Sequence, residues 1–529
     1  MKKILLLAAA AFMAVLSLQA QRMGCLHSSA VTRASEGDML PSPVVFDPQK
    51  TYRQAVVLVS FNDRDFSMAD PKDYYHRLFN EQGFNLGAGP GCVADYFREQ
   101  SGGRANLQFD IYGPIKVDET AGQHGSRYYG YTTIVHALDA FCDSVKTDFS
   151  VYDWNGDGRV NQVLFVAAGY SGDQVSGYIY PSTQAYLSKL PNGITVYFTS
   201  ITCELWKDGS LSGWATIAHE FSHCLGLPDI YPLLSASPFS TVDEWDLMDG
   251  GNYTNSGWCP PNFSAMEKMF LKWDTPEELT QPTTITGMKP VSAGGKSYIV
   301  RNPANADEFY LLENRQQEGW DYACPGHGLL IFHVDFDEEE WRLNYVNISD
   351  SHFRYDLFHA DGKSYIDWDP NNNGKNPDKY TMPGHMRSSY LSTSPYPFAD
   401  PVTLAVNNSL TDESSPAATL FTPATDGRLF LGKAITNIVE AEDGTISFDF
   451  MKEIDTGIQT IDHSPLTIDH SADACYDLSG HKVANGQSSM FNGQSSMFNG
   501  QSSMFNGQLK KGLYLRRSAS GAFQKILVP

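Results

Sequence analysis

Twenty residues carry most of the chemistry that this sequence can do. Ser212 to Tyr231 reads Ser-Gly-Trp-Ala-Thr-Ile-Ala-His-Glu-Phe-Ser-His-Cys-Leu-Gly-Leu-Pro-Asp-Ile-Tyr. His219 and His223 are four apart, so a helix puts both imidazoles on one face. Neutral imidazole is a good zinc ligand. Glu220 sits about 100° round the helix from His219, where it can reach a water on the metal without being a ligand itself. Zinc lowers the pKa of such a water to ~7, and Glu220 is the expected proton acceptor. Gly226 is expected to end the helix in a left-handed cap. The chain can then turn back and deliver Asp229 as a third ligand. Three protein ligands plus a water make the open, catalytic kind of zinc site.

Other constellations are weaker. Asp153-Trp-Asn-Gly-Asp-Gly-Arg-Val-Asn161 places Asp153, Asn155, Asp157 and Asn161 at positions 1, 3, 5 and 9 of a calcium loop, with the Arg159 carbonyl at position 7. Position 12 is Leu164, where an EF-hand needs a glutamate, so two readings stay open: a lone Ca2+ loop borrowing other ligands, and a polar turn without metal. Asp367-Trp-Asp-Pro-Asn-Asn-Asn-Gly374 reads as a polar turn. His327, His333 and Asp335 fall on a predicted strand and favour a structural role over a second metal site. The sequence holds no Ser/His/Asp elbow, phosphate loop or cysteine zinc pattern.

These residues need elements to hold them. Ala55-Val-Val-Leu-Val-Ser-Phe61, Gln162 to Ala168 and Ile194 to Leu205 are apolar runs of strand type. Thr132 to Lys146 spaces Ile134, Val135, Leu138, Phe141, Cys142 and Val145 as an amphipathic helix. From about residue 276 short β-type runs alternate with turns: Ser297–Arg301, Phe309–Glu313, Gly328–His333 and Thr445–Phe450. The fold expected is α+β: a mixed sheet with a backing helix and the zinc helix over 51–275, then a β-sandwich-like region over 276–452. Residues 453–529 form a tail in which three copies of Asn-Gly-Gln-Ser-Ser-Met-Phe (485–505) read as a flexible insertion.

The chain has 529 residues and a formal charge of −23, and its last 21 residues carry five positive charges and no acid, against the trend of the whole chain. That acidity excludes general nucleic-acid binding. Lys2, Lys3 and the apolar run Ile4 to Leu18 predict a signal peptide over 1–20, too short for a transmembrane span. Residues 21–50 then read as a linker or short pro-segment, and the product as secreted or held at the cell surface. Cys25 is a candidate for a lipid anchor or for a thiolate that blocks zinc, although Arg22-Met-Gly lacks the expected apolar residue. Eight cysteines allow 105 pairings, and the sequence does not choose among them. Oligomeric state is likewise not legible.

The sequence resembles the immune inhibitor A family of secreted bacterial metallopeptidases, a metzincin-type group. The resemblance rests on the zinc helix, on Gly91–Phe97 with Gln100–Gly103 and Tyr112–Pro114, on Asp157–Gly169, and on Leu311–Gln316 with Gly319–Asp321 and Pro325–Asp335. It covers about residues 52–452. It implies His219, His223 and Asp229 as zinc ligands and Glu220 as base. It also implies that Met248, in Trp245-Asp-Leu-Met-Asp-Gly-Gly251, forms a methionine turn beneath the metal. Tyr253 is a weaker candidate for assisting an oxyanion. Cys475–Gly480, Leu509–Tyr514 and Lys525–Val528 resemble C-terminal sorting-type β modules of Bacteroidetes exoproteins, interrupted here by the repeats.

The expected function is that of a secreted zinc-dependent endopeptidase acting on protein or peptide substrates. Two rivals remain: an exported binding or adhesion protein with a structural or vestigial zinc site, and a zinc hydrolase of sugars or other amides.

Overall fold

The computed structural model describes residues 40–452 apart from 85, 87–88, 125–127, 145–147, 186–194, 234–239, 349–351 and 364–389, together with the backbone of four strands between 474 and 528. The expected signal peptide, Cys25, most of the 21–50 segment, the 367–374 turn and nearly all of the repeats lie outside the described residues.

Five strands build the first sheet: β1 (Tyr52–Ser60), β2 (Leu107–Lys116), β3 (Arg159–Tyr170), β4 (Ser182–Ala185) and β5 (Thr195–Leu205), in the order β2-β1-β3-β5-β4. Ala55 to Val59 have no exposed surface. Such an unbroken apolar run suits a parallel strand covered on both faces, and β1 does pair in parallel with β2 and β3. β3 continues in parallel to β5, while β4 closes the sheet as an antiparallel edge.

Helices cover this sheet. α1 (Pro71–Asn80) starts with Asp70 capping the Asp73 amide at 3.0 Å and buries Tyr75, Leu78 and Phe79. α2 is Val93–Gln100 and α3 is Tyr131–Ser144. On α3 the expected face sends Ile134, Leu138 and Phe141 into the core, and Val135 and Cys142 are half-buried beside it. α4 (Ala215–Cys224) is buried along its whole length, so it runs through the core rather than over it.

After α5 (Ala265–Phe270) the chain, beginning with the short β6 (Glu277–Glu278), forms three more sheets up to residue 452. β8 (Tyr298–Asn302), β9 (Asn305–Arg315), β10 (Gly328–Asp335) and β11 (Tyr355–Leu357) join β6 in the order β11-β10-β9-β8-β6. A helical turn, α6 (Glu338–Arg342), lies between β10 and β11. β7 (Thr283–Met288), β14 (Ile435–Glu440) and β15 (Ile446–Phe450) form a three-stranded sheet, and β12 (Phe398–Ala399) pairs with β13 (Val406–Asn407).

Strand alternation decides what the larger of these sheets touches. Val300, Tyr310, Leu312, Leu329 and Ile331 share a core with Ile435, Ile446, Phe448 and Phe450, so two sheets face each other across it. Their neighbours Ile299, Phe309, Leu311, Leu330 and Phe332 instead join the core that contains Ile217 and Phe221 of α4. The larger sheet is therefore buried on both faces, and one of those faces belongs to the core around the zinc helix. The described residues up to Lys452 make one compact unit. Beyond it, β16 (Ala474–Tyr476), β17 (Lys482–Asn485), β18 (Gly512–Arg517) and β19 (Phe523–Val528) form an antiparallel sheet in the order β17-β16-β18-β19, with the repeats in the β17–β18 connection.

Candidate metal centre

The chain leaves β5, turns, and enters α4, which packs back against that strand. Ser200 of β5 touches both the Glu220 carbonyl (3.2 Å) and the Cys224 sulfur (3.3 Å), which fixes the helix on the sheet. Cys224 is thus a small buried packing residue, and burial pushes its thiol far above the ordinary range, away from thiolate chemistry. Phe221 of the same helix packs edge-on to Phe97 at 4.8 Å.

The helix ends where the sequence predicted, and the geometry shows why. Gly226 takes φ +105°; its N–H bonds the His223 carbonyl at 2.9 Å, and that of Leu227 bonds Ser222 at 3.1 Å. This pair is a Schellman motif. A Cβ on Gly226 would sit 2.5 Å from the Pro41 carbonyl oxygen, so glycine is required for space as well as for conformation. The turn also brings the Leu227 carbonyl to His223 Nδ1 at 2.8 Å.

His219 Nδ1 meets the Leu247 carbonyl at 2.8 Å. A carbonyl only accepts, so both histidines carry a proton on Nδ1 and leave Nε2 facing inward as the atom that can ligate. Those two Nε2 atoms lie 3.1 and 3.3 Å from one oxygen, Asp229 Oδ1. Two ligands ~2.0–2.1 Å from a tetrahedral zinc ion are ~3.3 Å apart. All three donors fall within 4.8 Å of one another, and no other such group of His, Cys, Asp or Glu occurs among the described residues.

The electrostatics favour a cation. Burial alone would raise the Asp229 pKa, but the charge of His223 and hydrogen bonds from both histidines outweigh it and hold the carboxyl far below its usual range. Burial would lower His219, yet its bond to Asp229 and that charge raise it to about 9. A buried carboxylate held ionised beside two inward-facing Nε2 atoms suits a cation. His219, His223 and Asp229 are thus a group of donors that could hold a zinc ion.

Glu220 is beside this group and is buried. Its Oε2 accepts a hydrogen bond from the Thr183 hydroxyl on edge strand β4 at 2.8 Å. Met248 is fully buried, in a turn held by its own N–H to Asp246 Oδ1 (2.8 Å). The turn serves both arms of the site. Its Leu247 carbonyl holds His219, and its Met248 carbonyl accepts from Ile230, next to the third ligand, at 2.9 Å.

The remaining candidates go elsewhere. Asp153 accepts from Gly156 and Gly158 (2.7 and 2.8 Å), Asp157 from Arg159 (2.9 Å) and Asn161 from Trp154 (2.6 Å), so these oxygens fold their own loop. Asn155 accepts from the Asp157 amide at 3.3 Å. His327 pairs with Glu440 (2.7 Å), His333 with buried Glu308 (2.9 Å) and Asp335 with Arg354 (3.1 Å). The Tyr253 hydroxyl donates to Asp173 at 3.1 Å. Cys92, Cys142, Cys203, Cys224, Cys259 and Cys324 are all free thiols.

Four supporting groups escaped the sequence reading: Thr183, the Leu227 and Leu247 carbonyls and Asn344. The last lies 115 residues beyond Asp229, and its amide donates to Asp229 Oδ2 at 2.8 Å. Nothing in the local sequence marks it.

Comparison with known proteins follows this geometry. Residues 199–276 match the family model described as immune inhibitor A peptidase M6, catalytic domain. The pre-pro-metalloprotease PrtV of Vibrio cholerae serotype O1 (strain M66-2) is 20% identical over 255 residues, covering 40% of this chain and 28% of that protein. Immune inhibitor A of Bacillus thuringiensis subsp. alesti is 24% identical over 246 residues, covering 38% of this chain and 35% of that protein. The chain thus spans about a third of the length of these relatives. Among the described residues no helix is long and apolar enough to cross a membrane.

Proposed function

We propose that this chain is an exported zinc endopeptidase with a metzincin-like catalytic fold, acting on protein or peptide substrates. One observation carries the reading. Two imidazoles and a carboxylate converge within 4.8 Å, with a non-ligand glutamate next to the first histidine, inside the segment that matches a peptidase family. A bound zinc ion supplies Lewis acidity, making a water acidic and a peptide carbonyl electrophilic. Glu220 accepts the proton of the attacking water and passes it to the departing amine. Thr183 fixes the carboxylate during both transfers.

The edge strand supports peptides over sugars. β4 is the last strand of its sheet and carries Thr183, so an extended backbone pairing along it would run past the base. The charge of −23 suits cationic stretches of substrate. A signal peptide over 1–20, a pro-segment within 21–50 and a sorting-like module over 453–529 complete the proposal, and the name pre-pro-metalloprotease of the Vibrio relative supports the first two. The oxygen-rich 153–161 loop is proposed in addition as a Ca2+ site, its residue types and spacing being those of a calcium loop.

The test is digestion of casein and of a peptide library by wild type and Glu220→Ala, with and without chelator. Wild type should cleave and lose activity with zinc. Glu220→Ala should keep its zinc and lose about 10²–10⁴-fold in rate. Zinc bound without cleavage by wild type would favour the binding or adhesion reading, and cleavage undiminished in the variant would overturn the mechanism.

A further inference from the structure

The third ligand is held from a distant part of the chain. Asn344 is buried, and its side chain grips Asp229 twice: Nδ2 donates to Oδ2 at 2.8 Å, and Oδ1 accepts from the Asp229 backbone N–H at 2.5 Å. Three residues on, Asn347 donates to the Ile230 carbonyl at 2.7 Å and exchanges two bonds with the Tyr355 backbone (2.8 and 3.1 Å). The short loop after α6 therefore ties residues 229–230 to β11.

Asn344 occupies a special backbone position. It has φ +63°. Its N–H bonds Trp341 at 3.1 Å, and that of Tyr345 bonds Glu340 at 2.8 Å. That is the C′ position of a second Schellman motif, where glycine is the usual residue and asparagine the tolerated one. Glycine would serve the turn at least as well, so the turn alone does not call for this amide. The other carboxylate oxygen, Oδ1, faces both histidines. An uncharged donor on Oδ2 orients the carboxylate for one-oxygen coordination while leaving its full negative charge to the metal. A lysine or arginine there would take up part of that charge.

We propose that Asn344 is a positioning residue of the zinc centre: it presents Asp229 Oδ1 to the metal, so the β-rich region completes a site whose ligands all lie within residues 199–276. The proposal rests on the zinc reading above. Its mechanism is the general one by which partners of a ligand set metal affinity, typically 10–100-fold per partner.

The test uses the full chain. Asn344→Gly keeps the left-handed turn and removes only the amide. Its zinc-free melting temperature should fall by no more than about 4 °C, the cost of leaving the buried Asp229 N–H without its acceptor. Its zinc dissociation constant, read by competition with a chromogenic chelator, should rise about 10–100-fold. Asn344→Asp keeps the acceptor for the Asp229 N–H and loses the donor to Oδ2, so it decides the matter should the glycine variant fail to fold. In both variants the visible absorption bands of the Co2+-substituted protein should shift from wild type, because the aspartate no longer coordinates in the same way. A folded variant with zinc affinity within twofold of wild type and an unchanged Co2+ spectrum overturns the proposal. Absence of zinc binding by wild type would instead overturn the zinc reading itself.

Discussion

Replacing Asp321 by alanine should destabilise the whole protein up to Lys452, not merely its β-rich part. Arg315 on β9 has no exposed surface. It makes a two-pronged pair with Asp321 (2.8 and 2.6 Å), lies 3.4 Å from Glu313, and donates to the Asn262 carbonyl at 3.2 Å. Asp321 also accepts from the Asn262 N–H at 2.8 Å, and Glu313 from Ala265 at 2.5 Å. The network thus clamps the β-rich sheet onto the loop that leads into α5. Removing one partner of a buried pair costs about 3–5 kcal/mol because a charge is left uncompensated. Glu313 still faces Arg315, which favours the lower figure. The orphaned Asn262 N–H adds about 1 kcal/mol, for a total of about 4 kcal/mol. Unfolding entropy of ~2.1 cal/mol/K per residue over ~400 residues is ~0.8 kcal/mol/K, so Tm should fall by ~5 °C. Differential scanning calorimetry of the zinc-loaded protein would read this as one shifted transition. A fall under about 2 °C, or a low-temperature transition that splits off while the rest stays put, would refute the idea of one shared core.

Two further outcomes follow from the same structure. His359 is buried between Tyr390 and Ser394 hydroxyls (2.9 and 2.8 Å), and burial lowers its pKa to about 3. The unfolded chain therefore takes up a proton first. The contribution is intact above the unfolded value of ~6.5 and is lost as pH falls towards 3, by about 2 kcal/mol between pH 7 and pH 5. His359→Gln should remove that part of the acid sensitivity in melts at the two pH values, and an identical pH response would count against it. Gly226→Ala forces a side chain into φ +105° and onto the Pro41 carbonyl. It should cost more than the roughly 1–3 kcal/mol of backbone strain alone and weaken zinc binding through the displaced Leu227 carbonyl. Gly83→Ala (φ +72°, nothing within 4 Å) provides the strain-only control, and equal melting temperatures for the two variants would refute the close-approach argument.

What could be read in advance was whatever depends on neighbours in sequence. Four-residue spacing alone puts His219 and His223 on one face, and Gly226 marks the end of that helix, because both follow from helical geometry. The Ile134–Leu138–Phe141 stripe and the apolar run Ala55–Val59 are legible for the same reason. The calcium-like loop shows the limit of such reading. Its residue types fit a metal, and equally they fit the turn that they form with their own amides.

By itself, then, the sequence determined the donor types, their helical register and the elements on which they ride. Only the tertiary structure decided that Leu247 and Leu227 set the histidine tautomers, that Thr183 grips Glu220, and that Asn344 holds Asp229 from 115 residues away. It also decided that the larger β-rich sheet is shared, with Ile299 and Leu311 in one core and Val300 and Leu312 in the other. The reason is physical. Register along a helix or strand is fixed by covalent geometry, which every residue carries with it. A hydrogen bond between distant segments exists only once burial has brought them together, and no local pattern of residues encodes which segments those are.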